Sequence, residues 1–129
     1  MRAVDTNVVV RFLVVDDKHQ ARKARAAIDA GDIFISATVL LETEWVLRSG
    51  YGFAPSRIVA AFRALAGLPG VTVDGPAALA LALDWMDEGM DFADALHLAK
   101  AEGCTTFLSF DRKLAKIALG KSPIAVVHP

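Results

Sequence analysis

Residues 3–13, "AVDTNVVVRFL", decide the fold. Ala3 and Val4 begin an apolar run, Asp5-Thr6-Asn7 interrupts it, and Val8-Val9-Val10 resumes it. An ionisable group after so short a run reads as the carboxyl end of a first strand, with a helix from about Asn7 to Val14 directly behind it. Outward from this stretch the same alternation repeats. A second helix is expected across "KHQARKARAAIDAG" (18–31), stopped by Gly31, and a second strand at "DIFIS" (32–36). Ser36 or Thr38 can cap an apolar helix, "TVLLETEWVLRSG" (38–50), closed by Gly50, and "APSRIVAAFRALAGLPG" (54–70) forms another with Pro55 in its first turn. "VTVD" (71–74) is a third strand. Helices at "GPAALALALDWMDEG" (75–89) and "MDFADALHLAKAEG" (90–103), a strand at "TTFLSF" (105–110), a helix at "DRKLAKIALG" (111–120) and a last, edge strand at "PIAVVHP" (123–129) complete the chain. Strands alternating with longer helical patterns predict an α/β fold with a short, mostly parallel sheet.

The chain has 129 residues and no repeat, linker or low-complexity segment, so one domain over residues 1–129 is expected. Apolar residues make up 54% and mean hydropathy is +0.41, much of it alanine at helical spacing. No run approaches the roughly 20 apolar residues of a membrane span, and Met1-Arg2 leads into Asp5 instead of a signal core. No membrane association and a cytoplasmic location are expected. Cys104 is the only cysteine, which excludes a disulfide framework, and its flank "EGCTTFL" suggests a structural thiol at the start of a buried strand. A net charge of −1 argues against coating nucleic acid by bulk positive charge. Local basic groups remain, Arg22, Lys23 and Arg25 in one helix and Arg112, Lys113, Lys116 and Lys121 near the end, each also readable as a solvated helix face.

Of the 15 acidic residues, a few fall in unusual places. Asp5 ends the first strand, Asp111 ends the fourth, and Asp94 lies in the first turn of the helix beginning near Asp91. In an open parallel sheet the carboxyl ends of the strands share one edge, where such folds bind ligands, so Asp5 and Asp111 would be neighbours if their strands are adjacent. Capping competes with this reading, because aspartate is a favoured N-cap and Asp91 with Asp94 resembles a capping box. Capping does not explain Glu42, which periodicity aims between Trp45 and Val46 with Val39 a turn behind, where an unpaired charge would cost several kcal/mol. Glu44 is its rival, with Leu40, Leu41 and Leu47 around it, and periodicity does not choose between them.

The mutual repulsion of three or four carboxylates at one edge has to be relieved by protonation, by a basic side chain or by a divalent cation. Hard oxygen donors without cysteine or clustered histidine suit Mg²⁺ or Mn²⁺, and His19, His97 and His128 lack zinc-like spacing. Such a site activates water and stabilises phosphoryl oxygens, which makes phosphodiester hydrolysis its natural chemistry. Thr6, Asn7 and Ser109 can add neutral hydrogen bonds to water or phosphate, or serve turns and caps.

These residues resemble the PIN-domain ribonucleases, and within them the VapC-type toxins of bacterial toxin–antitoxin pairs. "AVDTNVVVRFL" is similar to that family's opening strand and first acid, "ISATVLLETEWVLR" to its second segment, and "DFADALHLAKAEGC" with "TTFLSFDRKL" to its third and fourth. Carried over residue by residue, the resemblance implies Asp5, Glu42, Asp94 and Asp111 as catalytic, metal-holding acids, and so prefers Glu42 to Glu44. Asp91 is implied as a less constant companion, and Ser109 fills a position that is commonly Ser or Thr; beside these, Thr6 and Asn7 remain candidates for bonding water or phosphate, and Arg112, Lys113 and the Arg22 to Arg25 cluster for holding the RNA backbone. The implied fold is a PIN-like α/β/α sandwich around a short, mostly parallel sheet. The implied activity is Mg²⁺- or Mn²⁺-dependent endonucleolytic cleavage of RNA, silenced by a cognate antitoxin. Homodimers assembling into a larger toxin–antitoxin complex are implied too, with DNA bound only through the antitoxin.

Rival classes fit less well. A receiver-like phosphoacceptor needs an acid pair after the first strand and a lysine at a late strand end, whereas Asp5 stands alone and Lys113 and Lys116 fall on a helix. A haloacid-dehalogenase-type phosphatase needs Asp-x-Asp, and Asn7 occupies the second place. The remaining alternative is a non-toxin or inactive PIN-like RNA-binding or scaffold subunit, against which the full set of acids argues.

Overall fold

The computed structural model describes residues 1–129, which divide into two units, Met1–Pro76 and Ala77–Pro129. In the first unit, β1 (Arg2–Ala3), β2 (Ile33–Ile35) and β3 (Val71–Val73) form a parallel sheet in the order β1-β2-β3. Ala3 is in register with Phe34, and Ile33 and Ile35 with Val71 and Val73. The alternation in β2 places Ile33 and Ile35 in the core while Phe34 is half-buried, as a period of two requires. The chain enters β2 through consecutive left-handed residues, Gly31 (φ 78°) and Asp32 (φ 58°). Gly70 lies against this turn so closely that a Cβ on it would meet the Gly31 Cα at 2.7 Å, and its carbonyl accepts from the Ile33 N–H at 2.9 Å. The β2–β3 register therefore depends on a glycine pair in backbone contact.

Helices α1 (Thr6–Leu13), α2 (Lys18–Asp29), α3 (Ala37–Trp45) and α4 (Pro55–Ala66) connect these strands. Each follows its expected segment. Ser36, rather than Thr38, caps α3, with Oγ accepting from the Val39 N–H at 3.3 Å. The α-helix then ends at Trp45, and residues Val46–Gly50 continue as one π-helical turn, not as the α-helix expected to reach Gly50. This wider turn keeps Leu47 fully buried. The start of α2 is tied to the chain after the π turn: Arg11 donates to Gln20, Asp16 and Tyr51, and the Tyr51 hydroxyl donates to Asp16 Oδ2 at 2.7 Å. The Tyr51 hydroxyl, and then Arg11, hold the Asp16 carboxyl below its ordinary range. In the basic run of α2, Arg25 stacks over the Phe12 ring at 5.0 Å, so part of this charge serves packing.

In the second unit, α5 (Pro76–Asp87), which starts at the last residue of the first unit, is followed by α6 (Phe92–Ala99), β4 (Thr106–Leu108), α7 (Arg112–Ala118) and β5 (Ala125–Val127). Strands β4 and β5 pair in parallel, Leu108 opposite Val127. Every strand pair is parallel, as expected for an α/β chain, but the pairs form two sheets instead of one. The α6 stripe Phe92, Ala95, Leu96, Leu98 and Ala99 is buried, each large member stabilising the fold by roughly 1.5–3 kcal/mol.

The expected burial of β4 is not found. Thr106 and Leu108 are exposed, and Cys104, just beyond a turn, is exposed too. A two-stranded ribbon has little apolar surface to cover it, so the strand pattern alone overstated its burial. No helix is long and apolar enough to cross a membrane.

Candidate active site

Strand β1 is short because its task is to bring the chain to Asp5. There the backbone leaves the sheet in an extended conformation (φ −83°, ψ 164°) and Asp5 becomes the N-cap of α1, Oδ1 accepting from the Thr6 N–H at 2.8 Å. The carboxylate remains exposed. Thr6 is buried, at 5% exposure, and its hydroxyl donates a hydrogen bond to Glu42 Oε1. Asp5 and Glu42, far apart in sequence, are thus joined through the backbone and side chain of one threonine.

Glu42 is exposed on α3, which corrects the expectation that it aims at apolar neighbours. Trp45, one of those neighbours, is itself 59% exposed. Glu44 is the inward residue, at 3% exposure, and the Arg48 guanidinium one turn on neutralises it, Nε donating to Oε2 at 2.8 Å. Periodicity could not separate the two because α3 is apolar on most of its circumference. Asn7 lies apart from the Thr6–Glu42 link, in a depression of α1 and α2 with Arg11, Gln20 and Lys23.

The second unit places Asp91, Asp94 and Asp111 around one cleft of about 300 Å³, with Lys113 at its side and Met90 and Ile117 as apolar walls. Asp91 caps α6, Oδ2 accepting from the Asp94 N–H at 3.2 Å. Asp111 caps α7, Oδ1 accepting from the Lys113 and Leu114 N–H groups at 2.9 and 3.1 Å. Ser109 Oγ accepts from the Asp111 N–H at 3.0 Å, so this side chain supports the turn that presents the acid. Arg112 is exposed.

Asp94 differs from both caps. Its carboxylate receives no hydrogen bond, and burial, then the negative charges of Asp91 and Asp111, push its pKa up, His97 opposing. Here the helix dipole does not offset the repulsion of like charges. A third carboxylate held among two others without a donor is a poor structural choice and a good ligand for a cation.

A family model for the PIN domain matches residues 2–119. The chain belongs to the PIN-domain family. The match crosses from one unit into the other, so both halves of the acid set fall inside the PIN domain. No curated protein matches the sequence. Among solved structures, that of Mycobacterium tuberculosis VapC20, a toxin that cleaves the sarcin-ricin loop, is 23% identical over 100% of both chains, with a TM-score of 0.44.

The donor set suits a hard divalent cation, since every candidate is a carboxylate or hydroxyl oxygen and none is sulfur or imidazole. No three acidic, histidine or cysteine side chains are gathered tightly enough to hold a metal ion as they stand. Directly before Asp111, the exposed Phe110 ring meets the His128 imidazole edge-to-face, a contact that the sequence did not signal.

Proposed function

We propose that this PIN domain is a Mg²⁺- or Mn²⁺-dependent endoribonuclease toxin, and that Asp5, Glu42, Asp94 and Asp111 are its metal-holding acids. The observation that carries the reading is the one cleft lined by Asp91, Asp94 and Asp111, in which the Asp94 carboxylate meets no donor. Membership in a family whose members generally depend on divalent metal supplies the second support. When bound, such an ion lowers the pKa of a water and offsets negative charge on the phosphate being cleaved.

The chain's own residues divide the remaining work. Asp5 keeps one oxygen for its helix cap and leaves Oδ2 for the cation, and Asp111 does the same with Oδ1 committed to α7. Thr6 orients Glu42 by donating to Oε1, which leaves Oε2 to hold metal or water. Asp91 fixes the first turn of α6 and adds negative potential to the cleft. Lys113 and Arg112 attract the RNA backbone by charge, which makes binding weaken with salt. One domain over 1–129, a cytoplasmic location, a homodimer, and a cognate antitoxin that silences the enzyme and carries any DNA binding complete the reading, on the resemblance to VapC-type toxins.

The test is cleavage of end-labelled total RNA by the purified chain in Mg²⁺ and in EDTA. Asp5→Asn keeps the cap, because an asparagine oxygen also accepts from Thr6, and should lose at least about 100-fold in rate while its thermal melt stays close to the parent's. Equal cleavage by Asp5→Asn and parent, or cleavage that survives EDTA, would overturn the proposal.

A further inference from the structure

We infer that Phe110, steadied by His128, is a stacking platform for one nucleobase of the RNA strand beside the scissile phosphate, an inference that rests on the ribonuclease reading above. Phe110 is 76% exposed. An aromatic side chain buries 150–250 Å² when covered, so this ring offers a large apolar face to a planar partner. The ring is nonetheless held, edge-to-face with the His128 imidazole, the centroids 5.2 Å apart and the planes at 85°. His128 Nδ1 in turn lies 3.1 Å from the Pro129 oxygen. Such a contact covers at most one face of Phe110 and leaves the other open to a planar partner.

The position matches a base more closely than any other occupant. Phe110 directly precedes Asp111, whose Cα is about 3.8 Å away along the chain. The turn between them is built, the Ser109 N–H donating to the Val127 carbonyl and the Asp111 N–H to Ser109 Oγ, each at 3.0 Å. On the other side of Asp111 come Arg112 and then Lys113, which borders the acidic cleft. Aromatic face, acid and cations in consecutive residues correspond to base, scissile phosphate and flanking phosphates of a single strand. Stacking tolerates any base because every base has a π-face, so this platform sets affinity more than sequence preference.

The test has two arms, read on parent, Phe110→Ala, Phe110→Leu, Phe110→Trp and His128→Ala. In EDTA, an oligouridine decamer with one central 2-aminopurine is titrated and its fluorescence followed. In Mg²⁺, KM and kcat for RNA cleavage are measured. Stacking predicts quenching by the parent and by Phe110→Trp, and its loss in Phe110→Ala and Phe110→Leu. It predicts a KM raised about 10-fold in Phe110→Ala at nearly unchanged kcat, and a smaller rise in His128→Ala. Rescue by leucine would show that apolar area alone is used and would overturn the inference. So would an unchanged KM and quenching in Phe110→Ala, or a Phe110→Ala effect confined to the sedimentation of the free chain, as for a protein contact. Failure of the parent to cleave RNA would sink the ribonuclease reading, while the EDTA arm would still decide whether Phe110 stacks on a base.

Discussion

The Thr6 hydroxyl donates to Glu42 Oε1 across a separation of 36 residues, joining the residue after the first acid to the acid of α3. Solvent around the exposed Glu42 keeps the contribution of this bond to stability small, and its effect is to select one rotamer of the glutamate. Thr6→Val keeps the shape and removes the donor, so cleavage should fall about 10-fold or more with the fold intact. Thr6→Ser should restore most of the rate. Steady-state kinetics on both, beside their melting curves, decide this, and a valine variant as active as the parent would remove Thr6 from the site.

Glu42 and Glu44 should part company on mutation. Glu44→Gln removes a charge from a buried group paired with Arg48 and should cost about 1–3 kcal/mol of stability in a urea melt, with any surviving folded protein still active. Glu42→Gln should cost little stability, because the side chain is exposed, and should impair cleavage. The reverse pattern would transfer the catalytic role to Glu44.

Asp94 makes stability depend on pH in a defined sense. Its folded pKa lies above the ordinary 3.8, so between those values the folded chain binds more protons than the unfolded one. Stability then falls as pH rises through that window, and the penalty is fully present above it. Asp94→Asn should therefore melt higher than the parent at about pH 7 in EDTA, and the difference should vanish below about pH 4. Mg²⁺ at a hundred times its Kd should stabilise the parent by about 2.7 kcal/mol and the variant much less. A differential melt across pH, with and without Mg²⁺, reads both effects.

Gly70 tests the first sheet. Its missing Cβ allows backbone contact with Gly31, so Gly70→Ala must push β3 from β2 and should cost about 1–3 kcal/mol. Gly67→Ala, a few residues earlier at the end of α4, meets its nearest atom at 3.3 Å and should cost less. Equal melting temperatures for the two variants would show that the sheet relaxes freely.

Much of this was legible in the chain itself. Turn residues and periodicity located the strands and helices because they are local signals, and the acid after "RAV" was already readable as a strand end. What the sequence alone determined is the alternation of parallel strands and helices, the positions of Asp5 and Asp111 at junctions, where one carboxylate can cap and still present a free oxygen, and that of Asp94 in the first turn of α6. Tertiary structure decided the rest. Only packing turned Glu44 inward onto Arg48 and left Glu42 outward under the Thr6 hydroxyl, since α3 is apolar on nearly every side and its period carries no preference. Only packing left β4, Cys104 and Phe110 exposed, because burial depends on what covers a strand and not on the residues within it.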